Sequence, residues 1–219
     1  MNIADNIIKY NLKNVYFFCG TACGGKTTIS KALAPKYGFL WFDEDSTFSE
    51  AKKVADIENQ PALMQAPGFA KNIDWNHYFN RPYKEYHNWL ARSGVEQLPI
   101  TLMTLIKLSE KQKVVVDMHM SVSTAMRITE RNRIVFLVTD PERAVRDYCH
   151  RPGHQEIYDL IMTLPDPEKS LENLYATIRY GTQKFLDELL QSDAFYIKRD
   201  ENSTVENTLL QVEKHFGLL

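Results

Sequence analysis

The chain alternates short apolar runs with longer stretches of helical periodicity. Residues 15–19, VYFFC, are unbroken apolar and end at Gly20. A run of that length, bounded by a turn residue, predicts a strand covered on both faces. Residues 27–37 place Ile29, Ala32 and Leu33 at helical spacing and stop at Gly38, which predicts a helix. FLWF at 39–42 predicts a second strand, leading into Asp43, Glu44 and Asp45. VVV at 114–116 predicts a third, ending at Asp117, and RIVFLV at 133–138 and AFYI at 194–197 predict a fourth and a fifth. Residues 46–112 hold no long buried strand and read as helical, with Pro61, Pro67, Pro82 and Pro99 as punctuation. Further helices are predicted over 141–150, 168–191 and 205–216. The first of these has Asp140 as N-cap and Pro141 in the first helical position.

Strands separated by helices predict a parallel sheet with helices on both faces. The expectation is one three-layer α/β/α domain over residues 1–219, built on five parallel strands. A helical insertion would occupy 46–112, and a short lid would lie around 146–167. In such sheets ligands sit at the carboxyl ends of the strands. Gly20, Asp43 and Asp117 all fall there, so distant segments bring polar residues to one rim.

Gly20-Thr21-Ala22-Cys23-Gly24-Gly25-Lys26-Thr27 matches G-x-x-x-x-G-K-[ST] at every fixed position, between a predicted strand and a predicted helix. Glycines let the backbone turn and bring N–H groups close to phosphate oxygens. The following helix, with Thr28 in its first turn, adds N–H groups and its positive dipole end. Lys26 can reach the β- and γ-phosphates of ATP, and the Thr27 hydroxyl can ligate Mg2+. Lys26 is expected to be exposed, so that its removal would stop turnover and spare the fold. Asp117, ending an apolar strand, reads as a Walker B carboxylate for the metal. Asp43 and Asp45 alternate along the second strand and can face the same rim, one assisting the metal and the other taking a proton from an attacking hydroxyl.

Composition narrows the partners. The formal net charge is −2, so no basic face favours nucleic acid. The first residues, MNIADNIIKYNLKN, carry acids and amides and no long apolar run, which argues against a signal peptide or membrane anchor. Three cysteines, Cys19, Cys23 and Cys149, argue against a disulfide framework and make a reducing cytoplasm the default compartment. Cys19 reads as packing; Cys23 lies in the loop and is open to oxidation.

The loop 20–27, the acidic cluster 43–45 and Arg151-Pro152 together resemble the nucleoside-monophosphate-kinase-like branch of P-loop proteins, nearest in pattern to shikimate and gluconate kinases. The resemblance spans roughly residues 13–45 and 113–216. It implies transfer of the γ-phosphoryl group of ATP to a small-molecule acceptor, with Mg2+. It also implies that Asp43 helps the magnesium shell, Asp45 contacts the acceptor hydroxyl, and Arg151 and Arg146 are lid arginines. Residues 200–204 would pack near the adenine. Shikimate kinases carry a Gly-rich run after strand three where this chain has DMHMS at 117–121, which removes support for shikimate itself.

Around the lid, Arg143, Arg146, His150, Arg151 and His154 either neutralise the moving phosphoryl group or form a solvated basic helix end. Aromatic residues crowd 75–89; they either stack on a ligand ring or form a local core. Arg81 among them is a candidate for an anionic group of the acceptor. His119 either faces the acceptor or packs at the strand end. Two other functions remain: a nucleoside or nucleotide kinase, favoured by the aromatic insertion, and a nucleotide-binding regulatory ATPase without an acceptor. The sequence names neither the acceptor nor an oligomeric state.

Overall fold

The structure, a computed structural model, describes residues 3–151 and 154–219. The start of the amino-terminal segment and Pro152-Gly153 lie outside the described residues, so the proline of the Arg151-Pro152 pair is not placed.

Five parallel strands form one sheet: β1 (Val15–Gly20), β2 (Leu40–Asp43), β3 (Val114–Asp117), β4 (Ile134–Val138) and β5 (Tyr196–Lys198). Their order is β2-β3-β1-β4-β5. The apolar runs behave as their composition requires: every residue of β1, β3 and β4 is buried. Successive side chains point to opposite faces of a strand. One face therefore collects Phe17, Cys19, Val116, Phe136 and Val138 against Leu105, Ile128 and Leu189, which lie on α5 (Tyr83–Ser109), α6 (Val122–Ile128) and α9 (Pro167–Leu190). The other collects Phe18, Val115, Val135 and Leu137 against Ile29 and Leu33 of α2 (Lys26–Lys36) and Val212 and Phe216 of α10 (Val205–Phe216). Each large apolar side chain so buried contributes ~1.5–3 kcal/mol.

Three helices are absent from the periodicity reading: α1 (Asp5–Asn11), α6 and α8 (Gln155–Met162). None exceeds eight residues, too short for a clear helical stripe. The insertion is helical, with α3 (Phe48–Val54), α4 (Trp75–Phe79) and α5. Pro99, expected to punctuate it, lies inside α5, a helix of 27 residues. Pro99 and Val95 are both exposed, so the carbonyl that loses its intrahelical partner faces water. Tyr78, Phe79 and Tyr86 pack with Cys149, Ile161 and Leu174 in a separate core that ties the insertion and α8 to α9. Within it Tyr78 meets Tyr86 edge-on at 5.4 Å and Trp89 at 5.3 Å between ring centroids. Of the two readings of the aromatic stretch, the local core is the one the structure shows for these rings.

Candidate active site

The loop after β1 presses against the backbone of β4. A Cβ on Gly20 would lie 2.0 Å from the Leu137 carbonyl oxygen, and one on Gly24 2.2 Å from it, so only glycine fits at either position. Thr21 fastens the loop from both ends: its N–H donates to Leu137 O (3.2 Å) and its Oγ1 accepts from the Thr139 N–H (3.0 Å). Gly25 differs. At φ +97° it caps α2, and a Cβ there would meet nothing within 4 Å. That open side, at a helix amino terminus, is where an anion can be cradled.

Lys26 is not exposed. It is 6% accessible, and Nζ donates to Thr21 O at 3.0 Å. Burial pulls its pKa down, and the Asp117 carboxylate opposes that pull. The expectation of an exposed lysine is corrected: the first turn of α2 leads the side chain back under the loop, so its aliphatic stem is part of the packing.

The Thr27 hydroxyl donates to Asp117 Oδ2. Asp117 is buried, and burial raises its pKa against the lowering by Lys26 and Thr27. Asp43 stands beside it in the β2–β3 register. A hydroxyl and two neighbouring carboxylates suit Mg2+, which takes one or two carboxylates and leaves the rest of its shell to water and phosphate oxygens. Among the described residues no group of three or more His, Cys, Asp or Glu could hold a metal by itself. The residues present therefore fit a magnesium that shares its shell with a nucleotide.

Alternation does not carry the acidic cluster past Asp43. The chain coils there into a 3₁₀ turn, Glu44–Thr47, and Asp43 Oδ1 caps it by accepting the Asp45 N–H at 3.1 Å. The coil leaves Asp45 at the solvent-exposed rim and turns Glu44 inward. Asp45 is accessible yet crowded: burial first, then Asp43 and Asp117, raises its pKa. Glu44, passed over in the sequence, is 8% exposed, and its Oε2 accepts the His119 N–H at 2.8 Å. Burial pushes its pKa up to about 8, against the help of that hydrogen bond. His119 is solvent-accessible, but Lys26 first, then the surrounding protein and Arg151, push its pKa down to about 3. Water screens part of that push; the direction leaves the imidazole neutral near pH 7.

These values carry a stability prediction. An unfolded Glu44 ionises near 4.5 and the folded one near 8. Between those values the folded state holds the extra proton, so its stability falls as pH rises. Glu44→Gln keeps an acceptor for His119 and cannot ionise. Without added magnesium it is expected to be more stable than wild type above pH 8, with the gap closing as pH falls towards 4.5. Urea melts across that range check this; a gap that does not change with pH contradicts it.

The candidate arginines separate. Arg151 faces the site, its charge acting on Lys26, Asp45, Asp117 and His119. It stacks 5.0 Å over Tyr148, Nη2 donates to His154 Nε2, and Nε is buried without a partner among the described residues. Arg146 is turned away, 61% exposed and paired with Asp147 at 3.0 Å and Glu201 at 3.8 Å. Arg81 lies in the aromatic core, stacked 4.5 Å over Trp89. Its Nη1 is buried without a hydrogen-bond partner among the described residues, beside a cavity of about 180 Å³ bordered by Asn72, Asp74 and His77. Residues 200, 202 and 203 border an open cleft of about 320 Å³ between β5 and α10. Arg199, which no sequence signal marked, donates from Nη1 to the Cys23 carbonyl at 2.8 Å across 176 residues.

No protein-family profile matches this sequence, and no curated protein matches it. Among solved structures, shikimate kinase from Bacteroides thetaiotaomicron superposes with a TM-score of 0.50 at 16% identity, covering 91% of this chain and 97% of that one. Shikimate kinase from Acinetobacter baumannii in complex with shikimate gives 0.44 at 17% identity, covering 93% and 91%. Deoxyadenosine kinase from M. mycoides with bound dCTP gives 0.40 at 11%, covering 94% and 99%. The first likeness shows the fold: this chain has a P-loop kinase fold. The other two, below a TM-score of 0.5, add no argument.

Proposed function

We propose that this protein is an ATP-dependent phosphotransferase that moves the γ-phosphoryl group to a small-molecule acceptor. One observation carries the reading: the phosphate loop, the Thr27–Asp117 contact and Asp43 meet at one rim, with the Arg151 charge over it. Residues 20–28 hold the nucleotide phosphates, with Lys26 against the β- and γ-oxygens. Thr27, Asp117 and Asp43 hold Mg2+, which when bound neutralises charge on the phosphate oxygens. Asp45 accepts the proton of the acceptor hydroxyl; burial and the neighbouring Asp43 and Asp117 carboxylates raise its pKa, which strengthens it as a base. Arg151 stabilises charge on the phosphoryl group in transit. Arg146, held by Asp147 and Glu201, reaches that group only if the lid rearranges.

The acceptor is held between the insertion and the rim, with His119 as a neutral hydrogen-bonding group and Arg81 as the cation for an anionic substituent. Tyr78, Phe79 and Tyr86 are buried against one another, so these three rings offer no open face to a nucleoside acceptor. The extent of the unit, residues 1–219 with an acceptor-binding insertion at 46–112 and a lid around 146–167, belongs to this reading. So does a cytoplasmic location, supported by three buried free thiols. No described helix is long and apolar enough to cross a membrane.

Mg-ATP is expected to stabilise the protein. A ligand that binds only the folded state adds RT ln(1 + [L]/Kd), ~2.7 kcal/mol at a hundredfold excess over Kd. Thermal melts with ATP and magnesium, with ATP and EDTA, and with neither test it. A melting temperature unmoved by millimolar Mg-ATP sinks the reading.

A further inference from the structure

We infer that Arg199 is a positioning residue for the phosphate loop: it holds the Cys23 peptide in the orientation that turns the Gly24 N–H into the loop. The inference deepens the nucleotide-binding reading and rests on it for its consequence, but not for its geometry.

Cys23 has φ +59°, the one positive φ at a non-glycine among the described residues. An L side chain enters that region only at a free-energy cost, so something must hold it there. The Arg199 guanidinium does so, donating to the Cys23 carbonyl at 2.8 Å. In a planar trans peptide the carbonyl and the next N–H point in opposite directions. Turning the Cys23 carbonyl towards Arg199 therefore turns the Gly24 N–H the other way. It meets Thr21 O at 3.4 Å there, the same oxygen that accepts from Lys26 Nζ. On the far side the Cys23 thiol donates to Ala144 O at 3.8 Å, on α7 (Pro141–Tyr148).

Arg199 is itself well anchored. Its N–H donates to Val138 O at 2.7 Å, continuing the β4–β5 ladder. Asp147 of α7 lies 3.9 Å from its Nη1 and also draws Arg143 and Arg146. The sheet thus fixes the backbone, and Asp147 orients the side chain towards the loop. Without the guanidinium, residue 23 relaxes towards negative φ, and the Gly24 N–H loses its aim at Thr21 O, the carbonyl on which Lys26 Nζ also rests.

Two variants separate positioning from general stability, because glycine adopts positive φ without help. Mg-ATP titrations by calorimetry should show Arg199→Ala binding roughly tenfold more weakly, the scale of one charge-assisted hydrogen bond. In a Cys23→Gly background, whatever that variant's own affinity, adding Arg199→Ala to give the double variant should weaken binding by less than about threefold. In the nucleotide-free protein, Arg199→Ala should speed amide exchange over residues 20–25, and the double variant should not. Arg199→Ala with wild-type affinity, or a double variant roughly tenfold weaker than Cys23→Gly alone, overturns the inference. If wild type itself ignores Mg-ATP, the nucleotide reading fails, and the exchange result alone decides: unchanged exchange over the loop in Arg199→Ala overturns the positioning role too.

Discussion

Lys26→Met is expected to reduce phosphoryl transfer ~10²–10³-fold, the scale seen when one preorganised group that meets developing charge is removed. Its ammonium is already at the loop, with one hydrogen bond, to Thr21 O, among the described residues and two further N–H donors that can turn to phosphate oxygens. Its burial adds a second, separable effect. The ammonium is held where desolvation disfavours its charge, while the stem fills space under the loop. Methionine keeps the stem and removes the charge, so the nucleotide-free protein should be as stable as wild type or more so. Alanine also removes the stem and should melt lower, by ~1–3 kcal/mol. Both variants should show that loss of transfer. Turnover within a few-fold of wild type in either would show that Lys26 does not act on the phosphoryl group.

The second large effect divides the carboxylates. Asp117→Asn is expected to depress both transfer and background hydrolysis and to change the magnesium dependence, because Asp117 touches Thr27 and faces Asp43. Asp45→Asn is expected to lower transfer to the acceptor ~10²–10⁴-fold while sparing Mg-ATP affinity and background hydrolysis. Glu44 is the rival. It directly follows Asp43 but shares no face with it, since the 3₁₀ turn carries it inward onto the His119 N–H. Glu44→Gln should therefore retain transfer. Wild-type transfer by Asp45→Asn, with transfer lost in Glu44→Gln, would move the proton-accepting role to Glu44.

What the sequence revealed follows from which contacts are local. The strands β1, β3 and β4 are buried on both faces, so their apolar runs stand out without any partner being known. The phosphate loop is legible because its chemistry is carried by adjacent residues, and Thr27 and Asp117 come together because Thr27 opens the helix after β1 and Asp117 ends β3, the strand paired with β1. The acidic cluster was legible in composition but not in direction. Strand alternation predicts Asp43 and Asp45 on one face, whereas a capped 3₁₀ turn places Asp45 and buries Glu44. Lys26 was misjudged because a helix-start lysine looks solvent-facing until the loop is folded over it. Arg199 could not be found from the sequence, since its partner is a backbone carbonyl 176 residues away. The aromatic stretch at 75–89 had two readings that differ only in whether α8 and α9 cover it, and that depends on tertiary packing.

The central claim is phosphoryl transfer to a separate small molecule. Its most direct test is ADP release by the wild-type protein with Mg-ATP across a panel of small hydroxylated and phosphorylated metabolites, anionic ones included. The account predicts a low background in buffer alone and a large rise with one chemical class of acceptor, accompanied by stoichiometric appearance of the phosphorylated product and abolished in Lys26→Met. ADP release at one rate in every mixture, with inorganic phosphate as the only product, would contradict it and identify a nucleotide hydrolase instead.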